Sequence, residues 1–205
     1  SLQTLPIDVL AKHGYTAEQI SAIKNFNGSE AQMSLAAASL DIYSTTVSFK
    51  YTPGGRTTGR LAYGWNWTGV PVIKMRDMVA VSWNNWVLTS QGSSVGCFGV
   101  NRGDPYTSES ATFVNPTNST WNGAGHKFNM TKSDNYYYAK SGSGHFNVES
   151  DGLYQKDFYY YIEYGHATLS YDIGFSVSVP GGGAGSISFS VVTAYAGSDS
   201  GSHRW

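Results

Sequence analysis

The chain has little cysteine, little charge and no long apolar run. Its 205 residues include a single cysteine, Cys97, so no disulfide can form within the chain. Charged side chains make up 13% of the residues, against roughly a quarter in a typical globular domain. No apolar stretch approaches the roughly 20 residues that a membrane-spanning helix needs. We therefore expect neither a disulfide framework nor a transmembrane helix in these residues.

Basic side chains are not in excess. Thirteen Lys and Arg face fourteen Asp and Glu, which gives a net charge of −1 and a pI near 6.5. Proteins that neutralise phosphates carry a basic surplus, so no nucleic-acid partner is expected. The sequence also lacks a metal-binding HExxH, a Gly-x-Ser-x-Gly elbow and a phosphate-binding glycine loop. No catalytic residue, metal ligand or cofactor is predicted, and a non-catalytic role is favoured although enzymatic activity stays open.

Aromatic residues and glycine are plentiful. Aromatics reach 15% of the chain, with 15 Tyr and 6 Trp, and there are 24 Gly. A disordered chain would lack these aromatics. The composition is typical of many short strands with uncharged polar outer faces and glycine turns.

Residues 5–26 carry the clearest helical signals. Pro6 suits a first helical position, and Gly14 suits an αL cap at the end of the first helix. Thr16 and Gln19 form a capping box for a second helix, which Asn27-Gly28 ends. Residues 29–40 fit either a third helix or a linker. We predict a helical N-terminal segment over residues 1–40 and a β domain over residues 41–205.

After residue 40 the apolar period changes to two, which is typical of half-buried strands. The alternating sets are Tyr43, Thr45, Val47, Phe49 and Tyr51; then Leu61, Tyr63, Trp65 and Trp67; then Val79, Val81 and Trp83. Pro53-Gly54-Gly55 predicts a turn between the first two. Further strands are expected at 87–98, 136–140, 144–148 and 158–164. Residues 101–135 are rich in Asn, Gly, Ser and Pro and are predicted to be mainly loops.

The C-terminal part predicts a long β-hairpin. Apolar residues alternate from Leu169 to Val179, five residues of glycine and alanine reverse the chain, and alternation resumes from Ile187 to Tyr195. The tail from Gly197 has no pattern and is expected to be disordered apart from Trp205. Because strands follow one another without intervening helices, the whole favours an antiparallel β-sandwich, mainly β, with a short N-terminal helical hairpin.

Two groups of motifs carry a family resemblance. They are Leu5-Pro6-x-x-Val9-Leu10 with Gly14-x-Thr16-x-Glu18-Gln19-Ile20, and Tyr63-x-Trp65-x-Trp67, Pro71, Met75-x-Asp77 and Val79-Ala80-Val81-Ser82-Trp83 with Tyr164-Gly165-His166. The chain resembles uncharacterised secreted β-rich proteins of Gram-positive bacteria in these motifs. The resemblance implies a secreted, extracellular protein and implies no chemistry.

Aromatic side chains are the candidate binding residues: Trp65, Trp67, Trp83, Trp86, Tyr137 and Tyr160. Flat rings beside Asn and Asp side chains suit sugar recognition. The alternative is that the tryptophan row builds the core, since aromatics dominate core burial. The runs Tyr136-Tyr137-Tyr138 and Tyr159-Tyr160-Tyr161 must each turn at least one ring outward, because neighbouring residues of a strand face opposite sides.

Polar candidates are weaker. Cys97 is expected to be a small buried residue rather than a nucleophile. A cluster of His166 with Glu163, Asp172 or Asp77 would indicate a hydrolase, whereas Asp77 alone is expected to be a buried structural carboxylate. The leading hypothesis is an extracellular, non-catalytic protein that binds a cell-surface glycan or a protein.

Two other functions stay open. The C-terminal hairpin arms have roughly the 9–11 residues of a membrane-spanning strand, which allows a membrane-active, pore-forming-like protein. A hydrolase with an unrecognised site is the other. The sequence indicates neither the ligand nor the oligomeric state.

Overall fold

The computed structural model describes residues 4–12, 17–25, 38–69, 71, 75–99, 107–117, 122–132, 137–167, 172–178, 183–191 and 193–205. Two short helices precede thirteen strands in this part of the chain. All strand pairs among these residues are antiparallel, so the predicted fold class is confirmed: two facing sheets preceded by two short helices.

The helices are α1, Ile7–Lys12, and α2, Ala17–Asn25. Leu10 of α1 and Ile23 of α2 are fully buried, and the Lys24 ammonium donates to the Leu5 carbonyl at 2.6 Å, which ties the two helices together. The predicted helical pair is confirmed, while the predicted caps Gly14 and Thr16 lie outside the described residues. Neither helix has the length and apolar character to cross a membrane.

The strands, in chain order, are β1 Ser39–Lys50, β2 Thr58–Thr68, β3 Arg76–Trp83, β4 Trp86–Gly99, β5 Thr107–Ser110, β6 Thr112–Val114, β7 Gly123–Asn129, β8 Thr131–Lys132, β9 Tyr137–Ser150, β10 Phe158–Ala167, β11 Phe175–Ser178, β12 Ser186–Phe189 and β13 Thr193–His203. Sheet A has the order β1-β2-β9-β4-β5, with β8 beside one end of β9. Sheet B has the order β13-β10-β3-β7-β6. The module boundary predicted near residue 40 stays a prediction, and β1 begins at Ser39.

Aromatic rings from both sheets fill the space between them. Trp65 of β2 stacks on Phe128 of β7, with ring centroids 4.9 Å apart. Trp83 of β3 packs against Phe146 of β9 at 5.8 Å. Because such rings bury large apolar areas, this layer is the main source of the sandwich's stability.

A second apolar layer lies on the other face of sheet B. Met78 and Ala80 of β3 are buried there against Phe175 and Val177 of the β11–β12 hairpin. Strand β3 is thus covered on both faces, because Val79 and its neighbours on the other side face sheet A. This explains why its sequence is a continuous apolar run rather than an alternation.

The C-terminal hairpin is shorter than predicted. Strands β11 and β12 have four residues each and pair through Phe175↔Phe189 to Ser178↔Ser186. Residues from Thr193 onward leave the hairpin and pair with β10 as β13. The unbroken alternation from Ile187 to Tyr195 therefore spans two strands, of which β12 pairs with β11 and β13 pairs with β10. The long-hairpin prediction was therefore wrong, and the described strands lack the length of membrane-spanning arms. Phe175 and Val177 are instead buried against sheet B.

Two other predictions were wrong. The tail expected to be disordered forms most of β13, an edge strand whose apolar content is too low to show as a pattern. Residues 101–135 contain four strands, and β7 among them is an inner strand of sheet B. Its glycines, Gly123 and Gly125, lie beneath Val177 and Phe175 of the hairpin, so close packing requires the glycines that make the sequence look like a loop.

Strand merging is a smaller correction. Residues 87–98 form part of one 14-residue strand, β4, and the two strands expected at 136–140 and 144–148 are one 14-residue strand, β9. The turn at Pro53-Gly54-Gly55 is confirmed, with Gly54 at a φ of 76° and the Gly55 N–H donating to the Thr52 carbonyl at 2.8 Å. The two predicted strands merge into β9 because small residues between them, such as Ser141, continue its pairing with β4 although the apolar alternation is interrupted there.

Substituting Gly123 tests whether β7 is an inner strand. A Cβ at this position would collide with the Val81 carbonyl oxygen, which is backbone and cannot rotate away. We expect Gly123→Ala to lower the free energy of unfolding by about 1–3 kcal/mol, measured by urea denaturation. The matched control is Gly183→Ala, where a Cβ meets no atom within 4 Å, and its change should stay within about 0.5 kcal/mol. Equal values for the two variants would contradict the placement of β7.

Candidate functional site

The four predicted tryptophans are core residues. Trp65, Trp67, Trp83 and Trp86 are each 1% exposed or less. Their indole N–H groups point inward as well: that of Trp67 donates to the Tyr164 hydroxyl at 3.1 Å, and that of Trp83 to the Trp86 carbonyl at 3.1 Å. A ring without exposed area cannot stack on a ligand, so their prediction as exposed binding residues was wrong, and the core alternative is confirmed.

The predicted tyrosines do not form a common surface. Tyr160 is buried, with its hydroxyl 2.9 Å from the Ser44 hydroxyl, and Tyr137 is half-buried against the core. The rings that turn outward in the second run are Tyr159 and Tyr161, both half-buried. The predicted outward ring therefore exists, but Tyr160 is not it.

The outer face of sheet A carries a different surface. Its three central strands turn small or polar side chains outward: Ala62, Gly64 and Asn66 on β2; Ser141, Ser143 and His145 on β9; Gly92, Ser94 and Gly96 on β4. Two depressions of about 470 and 440 Å³ adjoin here and share Ser94 and Ser143. We call them together the trough. Its lining includes the inward-facing Tyr63, Trp65 and Ser93, and the outward-facing side chains of Tyr43, Arg60, Ala62, Asn66, Ser94, Ser141, Ser143 and His145.

Tyr43 forms one wall of the trough. It is 63% exposed, and its ring lies over Gly64, where any side chain would collide with it. The alternation in the sequence placed Tyr43 and Phe49 on the same side of β1. A bulge between Val47 and Lys50, with Ser48 at a φ of 56°, reverses the strand's parity, so Phe49 faces the core while Tyr43 faces solvent.

Arg60 and His145 form the other end of the trough. The Arg60 Nε donates to the Asn147 side-chain oxygen at 2.7 Å, and the Asn147 amide donates to the Ser90 hydroxyl at 2.7 Å, so the guanidinium is held in place across three strands. The His145 ring lies over Gly92. Partial burial and the nearby Arg60 charge lower the pKa of His145. No carboxylate is among the described residues that line the trough.

A buried polar link holds the trough floor to sheet B. The Tyr63 hydroxyl lies 2.6 Å from His126 Nδ1, and the other ring nitrogen of His126 contacts the Gln91 side-chain oxygen. The His126 ring stacks on Phe146 at 4.6 Å. Burial, with a smaller contribution from His145, lowers the pKa of His126 to about 4, and burial raises the pKa of Tyr63. At neutral pH His126 is therefore an uncharged link between the sheets.

The candidate hydrolase residues meet only in part. Asp77 accepts hydrogen bonds from the Tyr164 hydroxyl and from His166 Nδ1, the latter at 2.9 Å, and all three residues are buried. Burial and the Asp77 carboxylate raise the pKa of Tyr164. Glu163 instead pairs with the Tyr161 hydroxyl, and the Asp172 side chain is 93% exposed beside Lys127. Since no solvent reaches Asp77 or His166, the cluster is structural, as expected of Asp77 alone.

Cys97 is also buried, as expected of a small core residue. Within the described residues, no group of His, Cys, Asp and Glu could hold a metal ion. The residues missed by the sequence reasoning are thus Tyr43, Arg60 and the serines of the trough. Of these residues, only the serines had a signal in the sequence, namely the alternation of serine and glycine over 141–144.

Acid should destabilise the protein through His126. Its folded pKa of about 4 lies below the ordinary 6.5, so the unfolded state binds the extra proton as the pH falls through this window. We expect a loss of about 3 kcal/mol from this residue between pH 6.5 and 4. His126→Gln keeps polar atoms in the link and should flatten that part of the urea-denaturation pH profile. Profiles that run parallel would contradict this role, because carboxylates contribute equally to both proteins.

Removing the Asp77 charge separates the structural role from a catalytic one. His166 Nδ1 lies 2.9 Å from both Asp77 oxygens, so Asp77→Asn removes the charge and places an amide donor in contact with this ring nitrogen. We expect a loss of at least about 2 kcal/mol in unfolding free energy. Asp172→Asn, an exposed control, should stay within about 0.5 kcal/mol. A stable Asp77→Asn protein would show that the carboxylate is dispensable for the fold.

Comparisons with known proteins give structural likenesses only. No protein-family model matches the chain, and no curated protein matches it. The collagen-binding domain of a Staphylococcus aureus adhesin aligns with 78% of this chain and 95% of its own, at 9% identity and a TM-score of 0.40. AvmM, which catalyses macrocyclization in alchivemycin A biosynthesis, aligns with 76% of this chain and 89% of its own, at 13% identity and a TM-score of 0.30.

Proposed function

We propose that this protein is an extracellular, non-catalytic binding protein and that its ligand is a glycan held in the trough of sheet A. The observation that carries the proposal is the exposed Tyr43 ring beside a floor of hydroxyl and amide side chains. A sugar presents an apolar C–H face that suits an aromatic ring and hydroxyls that pair with serine and asparagine. Tyr43 takes the role that the sequence reasoning gave to the tryptophans.

Backbone pairing favours a glycan over an extended polypeptide. A polypeptide ligand that binds a sheet adds itself to a free strand edge through its main chain. The floor strands β2, β9 and β4 each have partners on both sides, so the floor offers side chains and no free backbone ladder. Hydroxyl groups on a ligand match that set of partners.

The floor is also rigid before the ligand arrives. Alanine, glycine and serine side chains lose little rotamer freedom on binding, which removes part of the cost of association. The ladder on each side of β9 and the Tyr63–His126 link beneath it fix the floor's position. Each depression has the volume of an ordinary small-ligand site. Two adjoining depressions suit neighbouring sugar units of one chain.

The extracellular setting is supported by the sequence. The low charge content, the single buried cysteine and the resemblance to secreted Gram-positive proteins all favour it. The two other functions have lost their support, because the described hairpin strands are short and packed on sheet B and the Asp77–His166 pair is closed to solvent.

Glycan-array binding followed by calorimetry tests the proposal. Tyr43→Ala should weaken the best glycan about tenfold, since one stacking ring contributes on the order of 1 kcal/mol. Its melting temperature should not change, because the ring is mainly exposed. Trp205→Ala is the matched control: this ring is 49% exposed and is absent from the trough lining, so its removal should leave binding unchanged.

Three results would overturn the proposal. One is the absence of binding across a broad array. Another is binding that survives Tyr43→Ala and is lost in Trp205→Ala. The third is binding to an immobilised extracellular protein and to no glycan, which would make a protein the ligand. In that case the trough would remain the binding site only if Tyr43→Ala abolished the binding.

A further inference from the structure

We infer that the Arg60 end of the trough binds a carboxylate of the ligand, so that the glycans recognised are acidic, uronate- or sialate-containing chains. This inference rests on the proposed function and adds the ligand's charge to it. It is carried by the positions of the charged side chains around the trough.

Arg60 is a cation without a counter-charge of its own. Its Nε is occupied by the Asn147 side-chain oxygen. Among the described residues, no carboxylate forms an ion pair with its guanidinium, whereas the guanidinium of Arg56 has Glu149 as its partner. The remaining N–H groups of a guanidinium form a planar fork that matches a carboxylate.

The surroundings of Arg60 are positive overall. Glu149 lies two residues beyond Asn147 on β9, and Arg56 pairs with it at 3.5 Å. Lys50 lies opposite Thr58, on the row next to Arg60. His145, which lines the same depression as Arg60, has its pKa lowered by partial burial and, second, by the Arg60 charge. A ligand carboxylate would meet net positive charge at this end.

The opposite end of the trough has no such positive excess, because it carries one residue of each charge, Asp41 and Lys140, and the Lys140 ammonium donates to the Trp67 carbonyl at 3.0 Å. Asp41 lies beside Asn66 on the pairing row at that end, whereas Val47 lies beside Arg60. Six residues of β1 separate these rows, which is about 20 Å at the rise of an extended strand. A carboxylate therefore meets more positive charge at the Arg60 end than at the Asp41 end, which gives an acidic glycan one preferred direction.

Matched pairs of glycans that differ only in whether their carboxylates are charged test the inference. Calorimetry would compare oligogalacturonate, oligoglucuronate and sialyllactose, each with its own methyl ester. In at least one pair the acidic member should bind about tenfold more tightly or better, as expected for a charge-assisted hydrogen bond. Added salt should weaken the acidic member and leave the neutral one unchanged.

Two arginine variants show whether Arg60 is responsible. Arg60→Gln should bring the acidic member down to the affinity of its neutral partner. Arg76→Gln is a close control, because the Arg76 Nε also donates to a cross-strand asparagine, Asn129, at 2.9 Å, but in sheet B. That variant should keep the preference, and both should keep the wild-type melting temperature.

The outcomes separate this inference from the proposal beneath it. Neutral and acidic glycans that bind equally, with both losing affinity in Tyr43→Ala, would overturn the acidic preference and keep the glycan site. An acidic preference that persists in Arg60→Gln would also overturn the inference. Binding to poly-glutamate but to no glycan would overturn both.

Discussion

Aromatic side chains packed between the two sheets are the constraint on which the rest of the structure depends. Trp65 and Tyr63 need room on the neighbouring strand, and Gly142 and Gly144 provide it, since a Cβ at either position would collide with a ring. Serines alternate with these glycines on β9 and face solvent. The strand that admits these core rings therefore also has small outer side chains, so the same four residues, 141–144, serve both the core packing and the floor of the trough.

Polar links fix how the sheets lie across this aromatic layer. Apolar contacts alone are weakly directional, whereas a buried hydrogen bond that is left unmade costs free energy. The Tyr63–His126 contact joins the sheets near the trough, and the Trp67 N–H joins them through the Tyr164 hydroxyl. Along one side, the Ser44 N–H donates to the Asp199 carboxylate at 2.8 Å and joins β1 to β13. The trough is consequently part of a framework fixed at several points.

The predictable parts of the fold are those in which one face is apolar and the other polar. The alternation in β2 and the helical signals of residues 5–26 were enough, because local pattern and tertiary burial agree there. Strand β7 was missed because its glycines, which allow the β11–β12 hairpin to pack closely, look like loop residues in the sequence. Strand β13 was missed because an edge strand needs few apolar residues. In β1 the side of the sheet that each side chain faces was predicted wrongly, because a bulge that leaves no mark in the sequence changes which side chains face outward.

The candidate site could not be predicted from the sequence, because the residues that form it are not the conspicuous ones. Large aromatic residues attract attention in a sequence because they are costly to expose, and for the same reason the fold buries them, as it buries all four of the predicted tryptophans. A shallow site on a sheet needs small side chains in its floor and only a few tall ones at its walls. In the sequence such a site shows only as serine and glycine, and because turns are rich in the same residues the site cannot be told from a turn. The exposed Tyr43 ring and the Arg60 guanidinium acquire meaning only once the pairing register places them at the two ends of one surface.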